Sequence, residues 1–167
     1  RPVVISGSHF DAPGKPESPR WHSLCQGYDS VQLIPANRLD LVTADEQLYV
    51  RHGHFLDSAE LFDGTFFRMS PAEVHATDPT HRALLGAAFE SSVRAGHTRD
   101  SMVGSSTGVF LGICNMADWQ QLQRDLGTAP GVFGIHGSDG GAAAGRVSYL
   151  FGLKGPCLSV NTACSSS

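Results

Sequence analysis

Cysteine is scarce in this chain: Cys25, Cys114, Cys157 and Cys164 are the only four, at irregular spacing. Small disulfide-stapled domains are far richer in it, so reduced thiols in a reducing intracellular compartment, cytoplasmic or organellar, are expected. Lysine and arginine are few and scattered, and the net charge is -4. No basic cluster is present for nucleic acid or an anionic membrane surface, and neither is an expected partner. No run is long and apolar enough to span a bilayer. The opening residues have neither the apolar core of a secretion signal nor an Arg/Ser-rich transit pattern. Repeats and low-complexity segments are missing as well, which excludes a solenoid or a linker array.

Apolar residues make up 41% of 167 positions, enough for one ordinary core. Arg1 leads directly into Pro2-Val3-Val4-Ile5, an apolar run expected to be a buried strand without a lead-in. The closing Ser165-Ser166-Ser167 falls where a new segment begins. Residues 1–167 are therefore expected to be part of one larger domain, cut at both ends.

Local signals divide the chain. Prolines and glycines make residues 12–19 a loop. Ser18-Pro19 then opens a short helix through Trp21, Leu24 and Cys25 toward Gly27. Residues 31–67 are irregular, with an extended piece at Tyr49-Val50-Arg51 and core anchors Phe55, Phe62, Phe66 and Phe67. Asp78-Pro79 is the clearest helix start, Leu84, Leu85, Ala88 and Phe89 recur at helical spacing, and Gly96 ends the helix. Thr107-Gly108-Val109-Phe110-Leu111-Gly112-Ile113 is expected as a buried strand central in a sheet. A helical stretch over residues 116–126 follows, then a helix rich in small residues that can approach its neighbours closely, from about Ser138 to near Gly152, and then the strand Cys157-Leu158-Ser159-Val160. Strands alternating with helices predict an α/β layered fold with the sheet covered on both faces.

The chemistry concentrates in Val160-Asn161-Thr162-Ala163-Cys164-Ser165-Ser166-Ser167, where a strand passes into a turn expected to start a helix. A thiol at a helix N-terminus faces unpaired N–H groups, which favour the thiolate. Small neighbours leave the sulfur open to an acyl group and let backbone amides approach an oxyanion. A cysteine taken alone is more often a small buried apolar residue than a nucleophile, so Cys164 needs support from the rest of the chain.

That support is an ordered set of motifs. Upstream of Thr162-Ala163-Cys164-Ser165-Ser166-Ser167 stand Ala144-Gly145-Arg146-Val147-Ser148-Tyr149 and Gly152-Leu153-Lys154-Gly155-Pro156. Further upstream are Phe62-Asp63, Phe66-Phe67, Ser70-Pro71-Ala72-Glu73, Asp78-Pro79 with Arg82, and Thr107-Gly108-Val109-Phe110-Leu111-Gly112. From about residue 31 to the end this set resembles the beta-ketoacyl synthase (ketosynthase) domains of modular and iterative polyketide synthases. Asn161 stands where that family usually has Asp, and Thr77, Thr80 and His81 replace its Met and two Gln. These departures suggest a divergent lineage; Asn keeps a hydrogen-bonding acceptor but loses the charge.

The resemblance implies a thiolase-like layered αβαβα fold, with only the N-terminal half up to the active-site cysteine present. It implies Cys164 as acyl nucleophile in a decarboxylative Claisen condensation with a malonyl-type extender, in polyketide or fatty acid biosynthesis. Substrates would arrive on the phosphopantetheine of an acyl carrier protein, with no cofactor bound directly. It also implies a homodimer in which the stretch around Phe133 reaches the partner's acyl pocket. The family's two catalytic histidines and lysine lie downstream of the cysteine, so these residues alone are expected to be inactive. The alternative within the family is a non-elongating acyl-carrier docking or dimer scaffold, against which the retained Cys164 argues.

Other readings are weaker. His9, His22, His52, His54, His75, His81, His97 and His136 all precede the cysteine and match no catalytic position of the family; surface or turn placement is expected for most. His52-Gly53-His54 with Cys25 or His22 has poor spacing for zinc. Gly137-Ser138-Asp139-Gly140-Gly141 lacks the Lys-Ser/Thr ending of a phosphate loop, so helix capping is expected there. A Cys–His thiol hydrolase lacks both its motif and its partner histidine.

Overall fold

The computed structural model describes residues 3–10, 13, 20–38, 49–57, 59–114, 119–127, 133, 137 and 139–166. The chain divides into two units, Phe10–Ala59 and the remainder, Arg1–His9 with Glu60–Ser167.

The smaller unit holds α1 (Arg20–Cys25), β1 (Gln32–Leu33) and β2 (His52–Gly53). The expected first helix is present, while its proposed opening at Ser18-Pro19 and most of the Pro/Gly loop lie outside the described residues. The strands pair antiparallel, Gln32 opposite Gly53 and Leu33 opposite His52. The pairing thus begins one residue after the expected extended piece, although Arg51 already accepts from the Ile34 N–H at 3.0 Å.

The larger unit runs α2 (Pro71–Ala76), α3 (Pro79–Arg94), α4 (Arg99–Met102), β3 (Val109–Gly112), α5 (Trp119–Asp125), α6 (Gly140–Phe151) and β4 (Cys157–Val160). Side chains close the helix ends. Ser70 Oγ accepts the Glu73 N–H of α2, and Asp78 Oδ1 accepts the Thr80 N–H of α3 at 2.7 Å. Thr98 and Ser101 cap α4 reciprocally. Each such cap satisfies a donor that a helix leaves without an internal partner. Asp139 Oδ1 accepts the Gly141 N–H, so Asp139 caps α6, in line with the helix capping expected of this stretch.

The core gathers Phe67, Met69, Leu85, Met102, Val147 and Phe151. Phe62 stacks on Phe67 with ring centres 5.0 Å apart, and Phe66 meets Phe67 and Phe89 edge to face. Phe67 and Phe62 anchor the core as expected, whereas Phe66 is 37% exposed and Phe55, the fourth expected anchor, lies in the smaller unit outside this cluster. Arg99 adds a polar tie: its guanidinium lies over Phe66 and donates to the Phe66 and Leu150 carbonyls.

Two strand expectations are corrected. Val3-Val4-Ile5 forms no strand, and its side chains face solvent, Val3 at 98% exposure; among the described residues no strand pairs with it. Among the described residues β3 pairs with β4 alone, and its side chains alternate between a partly buried and an exposed face, with Phe110 at 71% exposure. An apolar run signals burial only when both faces of the sheet are covered. Among the described residues no helix is long and apolar enough to cross a membrane.

Leu85 is fully buried, at 0% exposure. Leu85→Ala leaves a cavity and is expected to cost about 2–5 kcal/mol, measured as a lower denaturation midpoint; an unchanged midpoint would show that α3 does not anchor the core.

Candidate active site

The site is built by the route from α6 to β4. Gly152 closes α6 at φ 64°, a left-handed cap that glycine adopts without steric cost, and Leu153 N–H donates to Ser148 O at 2.9 Å. Helix α6 therefore ends at Gly152, before the Gly155-Pro156 pair. The chain then lies down beside β3 through Lys154 N–H to Ser105 O, Gly155 N–H to Thr107 O and Val109 N–H to Pro156 O. β4 joins β3 in parallel, with Val109, Phe110, Leu111 and Gly112 opposite Cys157, Leu158, Ser159 and Val160. Ala143 and Ala144 are buried, and Ser159 Oγ bridges to α6 by accepting from Ala144 N–H and donating to Gly141 O. Small side chains let the helix settle close to the strand, as expected.

Residues 161–166 turn back at the carboxyl end of this pair. Asn161 Oδ1 accepts the Ala163 N–H at 3.3 Å, and Ser166 Oγ accepts the Thr162 N–H at 2.8 Å. Ser165 donates to Thr162 O from its hydroxyl at 2.7 Å and from its amide at 3.3 Å, and Ser166 N–H reaches Ala163 O at 3.1 Å. The amides of Thr162, Ala163, Ser165 and Ser166 are thus engaged, and Thr162 and Cys164 take part in an isolated β-bridge. Ala163 sits at φ 54°, in the left-handed region, which costs a non-glycine residue about 1–2 kcal/mol. That is comparable with any one or two of the three side-chain bonds holding the turn, at about 0.5–1.5 kcal/mol each. The turn closes onto Gly112, where a Cβ would lie 2.1 Å from the Ser166 carbonyl oxygen. Only a residue without a side chain admits this approach.

Cys164 is exposed on this turn. The helix expected to begin there is not present through Ser166: the bonds at 165 and 166 span three residues, the pitch of a tight turn rather than an α-helix. Through Ser166 the thiol is therefore presented by a turn with Ala163 in the left-handed region.

Other sequence candidates fall elsewhere. Among the histidines, His22, His52, His54, His75 and His97 are exposed as expected, His9 is half-buried, and His136 lies outside the described residues. His22 shares a hydrogen bond with Gln26, and His54 with Ser30. Among the described residues no group of three or more His, Cys, Asp and Glu side chains suits a metal ion. A cleft of about 440 Å³ opens over α6, lined by Phe133, Gly145, Tyr149 and the Arg146–Glu73 ion pair, and Cys164 is not part of it.

His81 reverses the surface expectation. It occupies the first turn of α3 at 1% exposure, with no hydrogen bond to either ring nitrogen. Helical spacing alone carried the signal: His81 stands four residues before the fully buried Leu85 and shares its face. Burial pushes its pKa below 6.5 and Arg146 acts in the same direction, while Asp78 and Asp139 oppose them.

The layered arrangement of helices against a parallel strand pair, with a cysteine on the turn that leaves it, is that of the thiolase-like condensing enzymes. The family profile described as "Beta-ketoacyl synthase, N-terminal domain" matches residues 1–167, and the chain belongs to that family. It is 40% identical over 176 residues to the polyketide synthase GfsB of Streptomyces halstedii, covering 99% of this chain and 3% of that protein. To a mycocerosic acid synthase-like polyketide synthase of Mycolicibacterium smegmatis it is 36% identical, covering 99% and 8%. Among solved structures, ketosynthase twelve of the bacillaene polyketide synthase in Bacillus amyloliquefaciens superposes with TM-score 0.77 at 26% identity, over 98% of this chain and 30% of that one. The oxazolomycin ketosynthase domain OzmH KS7 of Streptomyces albus gives 0.75 at 29% identity, over 98% and 29%. The chain therefore spans a small part of these synthases and under a third of each ketosynthase.

The His81 geometry carries a pH dependence. The unfolded chain takes up a proton near pH 6.5 that the folded chain resists, so stability is lost as pH falls below about 6.5. His81→Gln is expected to lose less of its thermal midpoint between about pH 8 and pH 5 than the wild type, and equal losses would show that His81 is not the buried neutral group described.

Proposed function

We propose that, in the complete protein, Cys164 carries the growing acyl chain of a decarboxylative condensation. Its thiolate attacks an acyl thioester delivered on the phosphopantetheine of an acyl carrier protein, and the carrier thiolate leaves. A malonyl-type thioester on a carrier protein then loses carbon dioxide, and the electron pair of the broken bond becomes an enolate. The enolate carbon attacks the Cys164 thioester, the Cys164 thiolate departs, and a β-ketoacyl thioester remains on the carrier.

The observation that carries this reading is the placement of Cys164: exposed, on a turn whose backbone is held by its own side chains, in a chain of the beta-ketoacyl synthase family. Within these residues, a thiol presented this way is open to a bulky thioester. Four exposed cysteines, one of them the nucleophile, fit a reducing compartment, which we include in the proposal. The homodimer of the complete domain is likewise part of the proposal. The groups that stabilise the enolate belong to sequence beyond the cysteine, and residues 1–167 alone are proposed to be inactive.

Carbon dioxide release coupled to β-ketoacyl product, from malonyl-loaded carrier protein and an acyl donor, tests the proposal. The complete protein is expected to form product, and Cys164→Ala is expected to lose at least about a thousandfold in rate. Product formation that survives Cys164→Ala would refute the assignment, and a wild-type protein that forms none would favour the docking scaffold.

A further inference from the structure

Two side chains stand on either side of the nucleophile turn, and each takes up one backbone amide. Asn161 Oδ1 holds the N–H of Ala163, the residue in the left-handed conformation directly before Cys164. Ser166 Oγ holds the N–H of Thr162 and is carried by the residue whose carbonyl rests on Gly112. The clamp therefore closes around Cys164 from the strand side and from the far side, and Gly112 forms its floor. The backbone bonds from Ser165 and Ser166 reach Thr162 O and Ala163 O, and the Ser165 hydroxyl also donates to Thr162 O.

We propose that Asn161 and Ser166 are positioning residues that fix the direction of the Cys164 side chain, and that the neutrality of Asn161 keeps a negative charge away from the thiolate. The inference rests on Cys164 being the acyl nucleophile. Asn161 is an acceptor without charge. A carboxylate at the same place would accept the same Ala163 N–H, so the turn would keep its shape. It would also set a second anion three residues from the sulfur, and like charges disfavour ionisation of the thiol. Geometry and charge are thus separable at this one position: alanine removes both, and aspartate keeps the first while changing the second.

The test is the rate of iodoacetamide alkylation of Cys164 in the complete protein, located by peptide mass mapping and measured from pH 6 to 10 beside the thermal midpoint. Asn161→Ala and Ser166→Ala are expected to lower the alkaline plateau about threefold or more, and Ser166→Thr, which keeps the hydroxyl, to restore it to within about twofold. Asn161→Asp is expected to keep the plateau but move the profile to higher pH, so that the rate at neutral pH falls about three- to tenfold. A merely structural role moves no pH profile. The proposal is overturned by an Asn161→Asp profile superimposable on the wild type, by unchanged plateaus in both alanine variants, or by losses that simply track the midpoint. If these shifts are seen while condensation survives Cys164→Ala, the clamp stands and the nucleophile assignment falls.

Discussion

The parallel pairing of β3 with β4 is the constraint on which the rest of the site depends. Parallel strands bring their carboxyl ends to the same edge, and the register that sets Val109 opposite Cys157 ends with Gly112 opposite Val160. Ile113 N–H adds a last bond to Val160 O. The chain after β4 then folds back where its neighbour offers no side chain. In open α/β sheets the space beyond the carboxyl ends of the strands is where ligands bind, and the same geometry here leaves Cys164 outward.

The remainder of the larger unit holds that pair in place. Ser159 ties β4 to α6, the buried Ala143 and Ala144 let the helix sit close, and Val147 and Phe151 carry its other face into the phenylalanine core. Arg146 joins α6 to α2 through Glu73 at 3.2 Å. Its side chain is mostly covered, so this pair acts between packed elements rather than as a surface contact. The ordered motifs that mark the family in sequence thus become one connected support: the phenylalanine run, the capped start of α3, the Ala-Gly-Arg helix and the cysteine turn.

What the sequence made legible follows from how locally each feature is determined. Asp78-Pro79 and Asp139 cap helices through their own neighbours, so both starts were readable, as was the strand Cys157–Val160 between Pro156 and the turn. Cys164 as a candidate nucleophile came from its small flanking residues together with the ordered family motifs around it. Features set by distant partners were not readable. Val3-Val4-Ile5 and Phe110 are apolar, yet their exposure depends on which strands and helices lie beside them. His81 has polar neighbours in sequence and is buried by helix packing. The Cys164 turn escaped for a related reason: Asn161 and Ser166 are ordinary helix-cap residues in composition, and their bonds back into the turn depend on Gly112 lying beneath Ser166.

Of four exposed thiols, Cys164 is the one carried on the turn that leaves β4, and its role as acyl carrier is the proposal to be tested. The most direct measurement is to incubate the complete protein with an acyl thioester, quench it before any extender is added, and map the acyl mass onto peptides. The acyl group should be found on the peptide containing Cys164 and on none containing Cys25, Cys114 or Cys157. Acylation of one of those other thiols, or none at Cys164 while β-ketoacyl product still accumulates once extender is supplied, would contradict it.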